Sequence, residues 1–161
     1  LSQLQSQLKQ LGTLFQHYFF ISEAYSDVSK TAEFRRICEQ AAQIAQKLDT
    51  LTVVNFTQKY NIYVILSQVD NASLLKNTMC SQLLFLQKYD RQHHSELFKT
   101  LFEFLENDCK IGVTADQLHL HRNSLTKRLQ KVQDLIAINF DDPDKTFGLR
   151  LSYRLFNFLQ I

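Results

Sequence analysis

Only three glycines and one proline occur in the 161 residues of this chain. Tight hairpin turns draw on the positive φ of glycine and the fixed φ of proline, so a chain with so little of either is expected to be built from long helices. Hydrophobic residues make up 45% of the sequence, enough for a packed core and too many for a disordered chain. Thirteen phenylalanines and six tyrosines, with no tryptophan, supply its bulk. The length allows one ordinary domain or two small ones.

Hydrophobic spacing supports this expectation along the chain. Leu1, Leu4, Leu8, Leu11 and Phe15 follow a 3-4-3-4 spacing, a helix with a narrow apolar seam. That seam is expected to pack on its own domain, with a dimerising coiled coil as the alternative. His17 to Tyr25 reads as a strand and Thr52 to Phe56 as a second, β-branched one. Between them Thr31 to Leu48 is helical, with Phe34, Ile37, Ala41, Ile44 and Leu48 on one face. Asn61 to Val69, Ser73 to Tyr89 and Ser95 to Glu106 are expected to be helical, the last with Leu97, Phe98, Leu101, Phe102 and Leu105 on one broad face. Asn107 to Gly112 breaks the pattern, Thr114 to Leu118 forms a short helix, and His119 to His121 makes a turn into a longer helix from Arg122 to Ile136. Asp142-Pro143 is a helix start, aspartate at the N-cap and proline at the first helical position. Leu149, Leu151, Leu155, Phe158 and Leu159 make the final helix strongly apolar.

Net charge is only +2, but its distribution is uneven. Arg122, Lys127, Arg128 and Lys131 fall in a ten-residue stretch without an acid, whereas acids flank it at Glu103, Glu106, Asp108 and Asp116 and again at Asp141, Asp142 and Asp144. Leu125, Leu129 and Val132, at i, i+4 and i+7, must share one inward face of that helix. Arg122, Asn123, Ser124, Thr126, Lys127, Arg128 and Lys131 are left on the other faces, with Gln130. Arginine and lysine can bond guanine O6 and N7 in the major groove, and asparagine can bond adenine N6 and N7. Arg128 and Lys131, further along the helix, suit phosphates, which position a protein without specifying sequence. With the short helix and turn before it, the segment reads as a DNA-binding helix-turn-helix.

The stretch from Thr114-Ala115 through Leu118, His121-Arg122-Asn123-Ser124-Leu125 and Arg128-Leu129 resembles the "TA…L…HRNTL…RL" signature of the PucR/CdaR family of bacterial transcription regulators. Tyr89-Asp90-Arg91-Gln92-His93 and Glu96-Leu97-Phe98-Lys99-Thr100-Leu101 match the family's "D…H…EL…TL" lead-in, and Asp141-Asp142-Pro143 with the leucine-rich last helix matches its closing segment. The recognition segment is also similar to Fis-type helix-turn-helix proteins, a comparison that implies DNA-facing positions at His121, Arg122, Ser124, Lys127 and Arg128. Ser124 stands where the family usually has threonine, Thr126-Lys127 replaces a common Arg-Tyr pair, and Ala137 stands where glycine is frequent, which implies an altered turn after the recognition helix. In such regulators a degenerate GGDEF-like domain commonly precedes the DNA-binding end. Residues 17–69 look like its closing portion, and no GGDEF motif is present, so the resemblance implies no cyclase activity.

Other chemistries find less support. His93 and His94 are adjacent and point about 100° apart on a helix, and His119 with His121 lacks a third ligand of supporting spacing, so no metal site is expected. Cys109 with His121 lacks an orienting group or an oxyanion hole, so no enzyme is expected either. Cys38, Cys80 and Cys109 show no paired spacing and no apolar run is long enough to span a membrane, which together suggest a cytoplasmic protein. The chain opens on Leu1 and its only methionine is Met79, so it is expected to be a fragment of something longer. The expected fold is thus mostly α: a small α/β remnant of a degenerate GGDEF-like domain with a linker region over 1–88, then a Fis-like helical helix-turn-helix DNA-binding domain over 89–161. Its expected partners are double-stranded DNA and a second copy of itself, with an unknown small-molecule effector bound upstream and no cofactor. A helical dimerisation or protein-interaction module without DNA contact is the alternative.

Overall fold

The structure, a computed structural model, describes residues 2–160. The chain divides into two compact units, Leu1–Asp70 and Asn71–Ile161. The position 88/89, where the sequence suggested a boundary, falls inside a helix of the second unit.

In the first unit, α1 (Ser2–Phe15) leads into β1 (Phe19–Ile21), α2 (Thr31–Lys47), β2 (Val54–Phe56) and α3 (Asn61–Leu66). The two strands pair in parallel, Phe19 opposite Val54 and Ile21 opposite Phe56, with α2 as the crossover. Both are shorter than their β-branched and aromatic runs suggested. Asn55, buried at the centre of β2, holds the strand ends together. Its Oδ1 accepts from the Thr52 backbone N–H and hydroxyl at 3.0 and 2.9 Å and from the Tyr60 hydroxyl at 3.3 Å. Its amide nitrogen donates to the Phe19 carbonyl at 3.4 Å.

The leucine seam of α1 does not bury itself in this unit. Leu4, Leu11 and Phe15 are exposed, Leu8 is half-buried, and Leu1 lies outside the described residues. The helix approaches its unit through Gly12 instead. A Cβ there would stand 2.4 Å from Val53 Cγ1 and 2.6 Å from the His17 carbonyl oxygen, so only glycine admits this approach.

The second unit is helical: α4 (Ala72–Asn77), α5 (Ser81–His93), α6 (Leu97–Glu106), α7 (Ile111–Gln117), α8 (Arg122–Ile136) and α9 (Pro143–Leu159). The expected single helix from Ser73 to Tyr89 is two. The Thr78 hydroxyl donates back to the Leu75 carbonyl, Cys80 is extended, and its N–H is taken at 2.9 Å by Ser152 Oγ of α9. No periodicity in residues 73–89 signals a partner 72 residues away. Conversely, the expected break through Gly112 is shorter than foreseen, because α7 begins at Ile111.

Leu101 and Leu105 of α6, Leu83 and Leu86 of α5, Val132 and Ile136 of α8, and Leu149 and Tyr153 of α9 form one core. The Tyr153 hydroxyl donates to the Phe98 carbonyl at 2.7 Å, and burial raises its pKa, so it stays protonated as a donor. A smaller cluster joins Phe104, Ala115, Leu125 and Leu129, where α7 and the first half of α8 meet α6. The half-buried ion pair between Arg154 and Glu106, at 2.6 Å, links α9 to the end of α6.

The start of α6 is capped from another helix. Glu96, at its N-cap, makes no capping bond of its own. Asp90 of α5 accepts instead from the backbone N–H groups of Leu97 and Phe98 at 2.9 and 2.7 Å and from the Ser95 hydroxyl. These are among the first helical N–H groups, which have no acceptor within the helix. Asp90→Ala removes all three bonds at once and is expected to cost about 1–3 kcal/mol in urea denaturation, with Asp90→Asn recovering part of it.

With few glycines available, the helices end on other residues in the left-handed region: Gln16, Asp49, His94, Asp108 and Ala137 all have φ near +50°. Ala137 follows α8 with φ 49° and ψ 46°, so the turn at that point takes the conformation glycine would take. Alanine is strained there. Ala137→Gly is expected to raise stability by up to about 1 kcal/mol, and a lower denaturation midpoint for that variant would contradict the strain.

Candidate nucleic-acid interface

The second and third helices of the unit's C-terminal portion are joined by a turn that needs no glycine. After α7, His119 is left-handed with φ 54°. Its N–H donates to the Asp116 carbonyl, and the Leu120 N–H donates back to Ala115 at 2.9 Å, the paired bonds of a Schellman end. Ala115 is fully buried where α7 meets α8, and the buried Thr114 hydroxyl donates to the Lys110 carbonyl. A larger side chain at Ala115 would push the two helices apart. Across α7, Gln117 donates to Glu103 at 2.6 Å and accepts from Asn107 at 2.8 Å, which fastens it to α6.

His121 then starts α8. It has extended backbone, its carbonyl accepts from the N–H groups of Ser124 and Leu125, and its Nδ1 accepts from the Asn123 N–H at 3.2 Å. Histidine is thus the N-cap, a role its place in the sequence motif did not reveal. Leu125, Leu129, Val132 and Ile136 are buried along one stripe. The rotation of α8 about its axis follows from that stripe, and it turns Arg122, Asn123, Ser124, Thr126, Lys127 and Lys131 outward, all exposed.

These outward groups differ in how committed they are. The side chains of Arg122, Asn123, Ser124 and Lys127 have no hydrogen bond or ion pair among the described residues. The Thr126 hydroxyl donates to the Arg122 carbonyl at 3.0 Å, leaving its methyl and oxygen lone pairs outward. Lys131 Nζ sits 5.2 Å from the centre of the Tyr89 ring, which stacks in turn on His93 at 4.1 Å. Arg128 is half-buried, and its Nη1 donates to Glu96 Oε2 at 3.3 Å and to Thr100 Oγ1 at 3.2 Å. It is held against α6, not extended toward solvent as a free phosphate ligand would be.

The partners of Arg128 and Lys131 come from the 89–101 stretch, where sequence similarity alone assigned no roles. Asp90 caps α6, Glu96 and Thr100 hold Arg128, Tyr89 lies under Lys131, and Leu97 with Leu101 enters the core. Among the described residues no group of three or more His, Cys, Asp or Glu could hold a metal ion. Burial pushes the Cys109 thiol up, the opposite of what an activated nucleophile needs.

A helix-turn-helix with a buried stripe and an open basic, amide- and hydroxyl-bearing face belongs to the class of DNA-binding domains. Residues 97–155 match the model of the PucR C-terminal helix-turn-helix domain, so the C-terminal unit carries a helix-turn-helix of PucR type. Among curated proteins, the chain is 38% identical over 65 residues to the purine catabolism regulatory protein of Bacillus subtilis, covering 40% of this chain and 12% of that protein. It is 25% identical over 147 residues to the DNA-binding transcriptional activator AdeR of the same organism, covering 89% of this chain and 32% of AdeR. It is 23% identical over 132 residues to the proline-responsive transcriptional activator PutR, covering 82% and 30%. The chain therefore spans a third or less of the length of these relatives, which are a regulatory protein and two transcriptional activators. No solved structure matches the chain significantly. Among the described residues no helix is long and apolar enough to cross a membrane.

The two cations of the mid-helix are expected to separate experimentally. Lys127→Ala should lower the slope of log affinity for duplex DNA against log salt by about one, as expected for one lost phosphate contact. Arg128→Ala should leave that slope in place while lowering the melting temperature, and a slope reduced as much as by Lys127→Ala would make Arg128 a phosphate ligand after all.

Proposed function

We propose that this chain is the DNA-binding end of a bacterial transcription regulator, which inserts α8 into the major groove of a specific duplex. One observation carries the proposal: the Arg122, Asn123, Ser124 and Lys127 side chains, unpaired among the described residues, share an exposed face that the buried Leu125–Ile136 stripe orients outward. Arg122, Asn123 and Ser124 lie on the first turn, the end of a recognition helix that meets base edges, and supply base discrimination. Lys127 and Lys131 supply affinity through phosphates, and His121 and Thr126 border the same surface. Arg128 serves mainly to hold α8 to α6.

A single recognition helix reads few base pairs, so the protein acts as a dimer or higher oligomer, its two recognition helices about 34 Å apart on a two-fold operator. The exposed Leu4, Leu11 and Phe15 of α1 favour such self-association, which salt would leave nearly unchanged. The strand–helix–strand–helix order of the first unit supports its being the closing part of a degenerate GGDEF-like domain, and the AdeR and PutR similarities extend well beyond the helix-turn-helix. An effector would then bind upstream of it.

Fluorescence anisotropy with random duplex DNA, at low and moderate salt, tests the function. Wild type is expected to bind with steep salt dependence, and Arg122→Ala/Lys127→Ala to bind at least tenfold more weakly, the loss of two contacts of about 1 kcal/mol or more each. Equal binding by both proteins would remove α8 from the interface. A sizing run on the same sample reads the oligomeric state.

A further inference from the structure

We infer that Gly112 is a positioning residue for Arg122, and through it a determinant of base preference, an inference that rests on the DNA-binding function proposed above. Gly112 is the second residue of α7, and no glycine of the chain has positive φ, so backbone conformation does not call for glycine there. A glycine within a helix is less favourable than alanine, because it loses more backbone freedom on folding. What its missing Cβ leaves room for is specific. A Cβ at residue 112 would stand 3.2, 3.6 and 3.8 Å from Nη2, Cζ and Nε of Arg122, and those are its three nearest neighbours. The guanidinium of the first residue of α8 therefore lies against the first turn of α7, on the spot where any other residue would project.

Nothing else among the described residues orients that group: Arg122 has no hydrogen bond or ion pair from its side chain. A guanidinium resting one side on backbone keeps its donor edges free for the N7 and O6 acceptors of a guanine. It also enters the complex with part of its rotamer freedom already given up, so less is lost on binding. The other two glycines contrast with this one. Gly12 is forced by atoms at 2.4 and 2.6 Å, and at Gly148 the nearest atom, Cys80 Sγ, would be in ordinary contact at 3.6 Å. Only Gly112 faces a side chain with a proposed role in recognition, and that side chain is long enough to move aside without unfolding anything.

This arrangement has a signature that a purely structural glycine would not give: alanine should make the protein more stable and a worse reader. The test uses the whole chain, with Gly112→Ala, Arg122→Ala and the double variant, melted thermally and titrated against the duplex that wild type selects from a random pool. Gly112→Ala is expected to melt a few degrees higher, to bind that duplex about three- to tenfold more weakly, and to relax preference at the same base position that Arg122→Ala relaxes. In the Arg122→Ala background it should change affinity by less than about twofold. An unchanged affinity and base preference in Gly112→Ala, or an equal loss with and without Arg122, overturns the inference while leaving DNA binding intact. Failure of wild type to select or bind any duplex overturns the DNA-binding function itself, and this inference with it.

Discussion

Burial of Leu125, Leu129, Val132 and Ile136 against α6 and its neighbours is the contact on which the C-terminal unit depends. Successive residues of a helix are turned by about 100°, so a shift of the buried stripe by one residue would turn α8 by about 100° and bring a different set of side chains outward. Truncating any one of these leucines to alanine typically costs about 2–5 kcal/mol, against about 1 kcal/mol for an ordinary hydrogen bond. The apolar contacts therefore decide the rotation of α8, and the polar groups must accept where that rotation puts them. The stripe is also shared: its first half packs with Phe104 and Ala115 to hold the helix-turn-helix, and its second half joins the core with α5 and α9.

Polar contacts refine what that packing allows. Asp90 secures the start of α6, the very helix that receives the stripe, and Arg128 reaches back from α8 to Glu96 and Thr100 on the same element. A surface ion pair contributes little alone, but here the half-buried Arg128 also donates to a buried threonine hydroxyl. The same economy shows at the helix ends, where residues other than glycine occupy left-handed positions usually given to it. Several are offset locally by backbone bonds, such as Leu120 to Ala115 and Cys109 to Phe104, both 2.9 Å.

Much of this was legible in residue spacing. The helix expected over Arg122–Ile136 has those bounds, the one expected over Thr31–Leu48 ends a single residue earlier, and Asp142 caps α9 through the N–H groups of Asp144 and Lys145, ahead of Pro143. Each of these carries its signal within one or two turns: a 3.6-residue apolar period, a capping side chain, a proline at the first position. Where contacts from afar decide, the spacing misled. Residues 73–89 keep a helical pattern across a break that Ser152 supports, and the leucine period of α1 marks a face its own unit does not cover.

The amino-acid sequence by itself determined that α8 is a helix, that its leucines face inward, and that a basic, amide-bearing surface remains outside, because local periodicity and side-chain chemistry suffice for all three. Tertiary structure alone decided which of those outward groups are available. Arg128 and Lys127 are neighbours with the same charge, yet one is bound to Glu96 and Thr100 and the other is free among the described residues. That difference depends on where α6 lies, and helix packing follows from the whole set of buried side chains, which no short stretch of sequence contains.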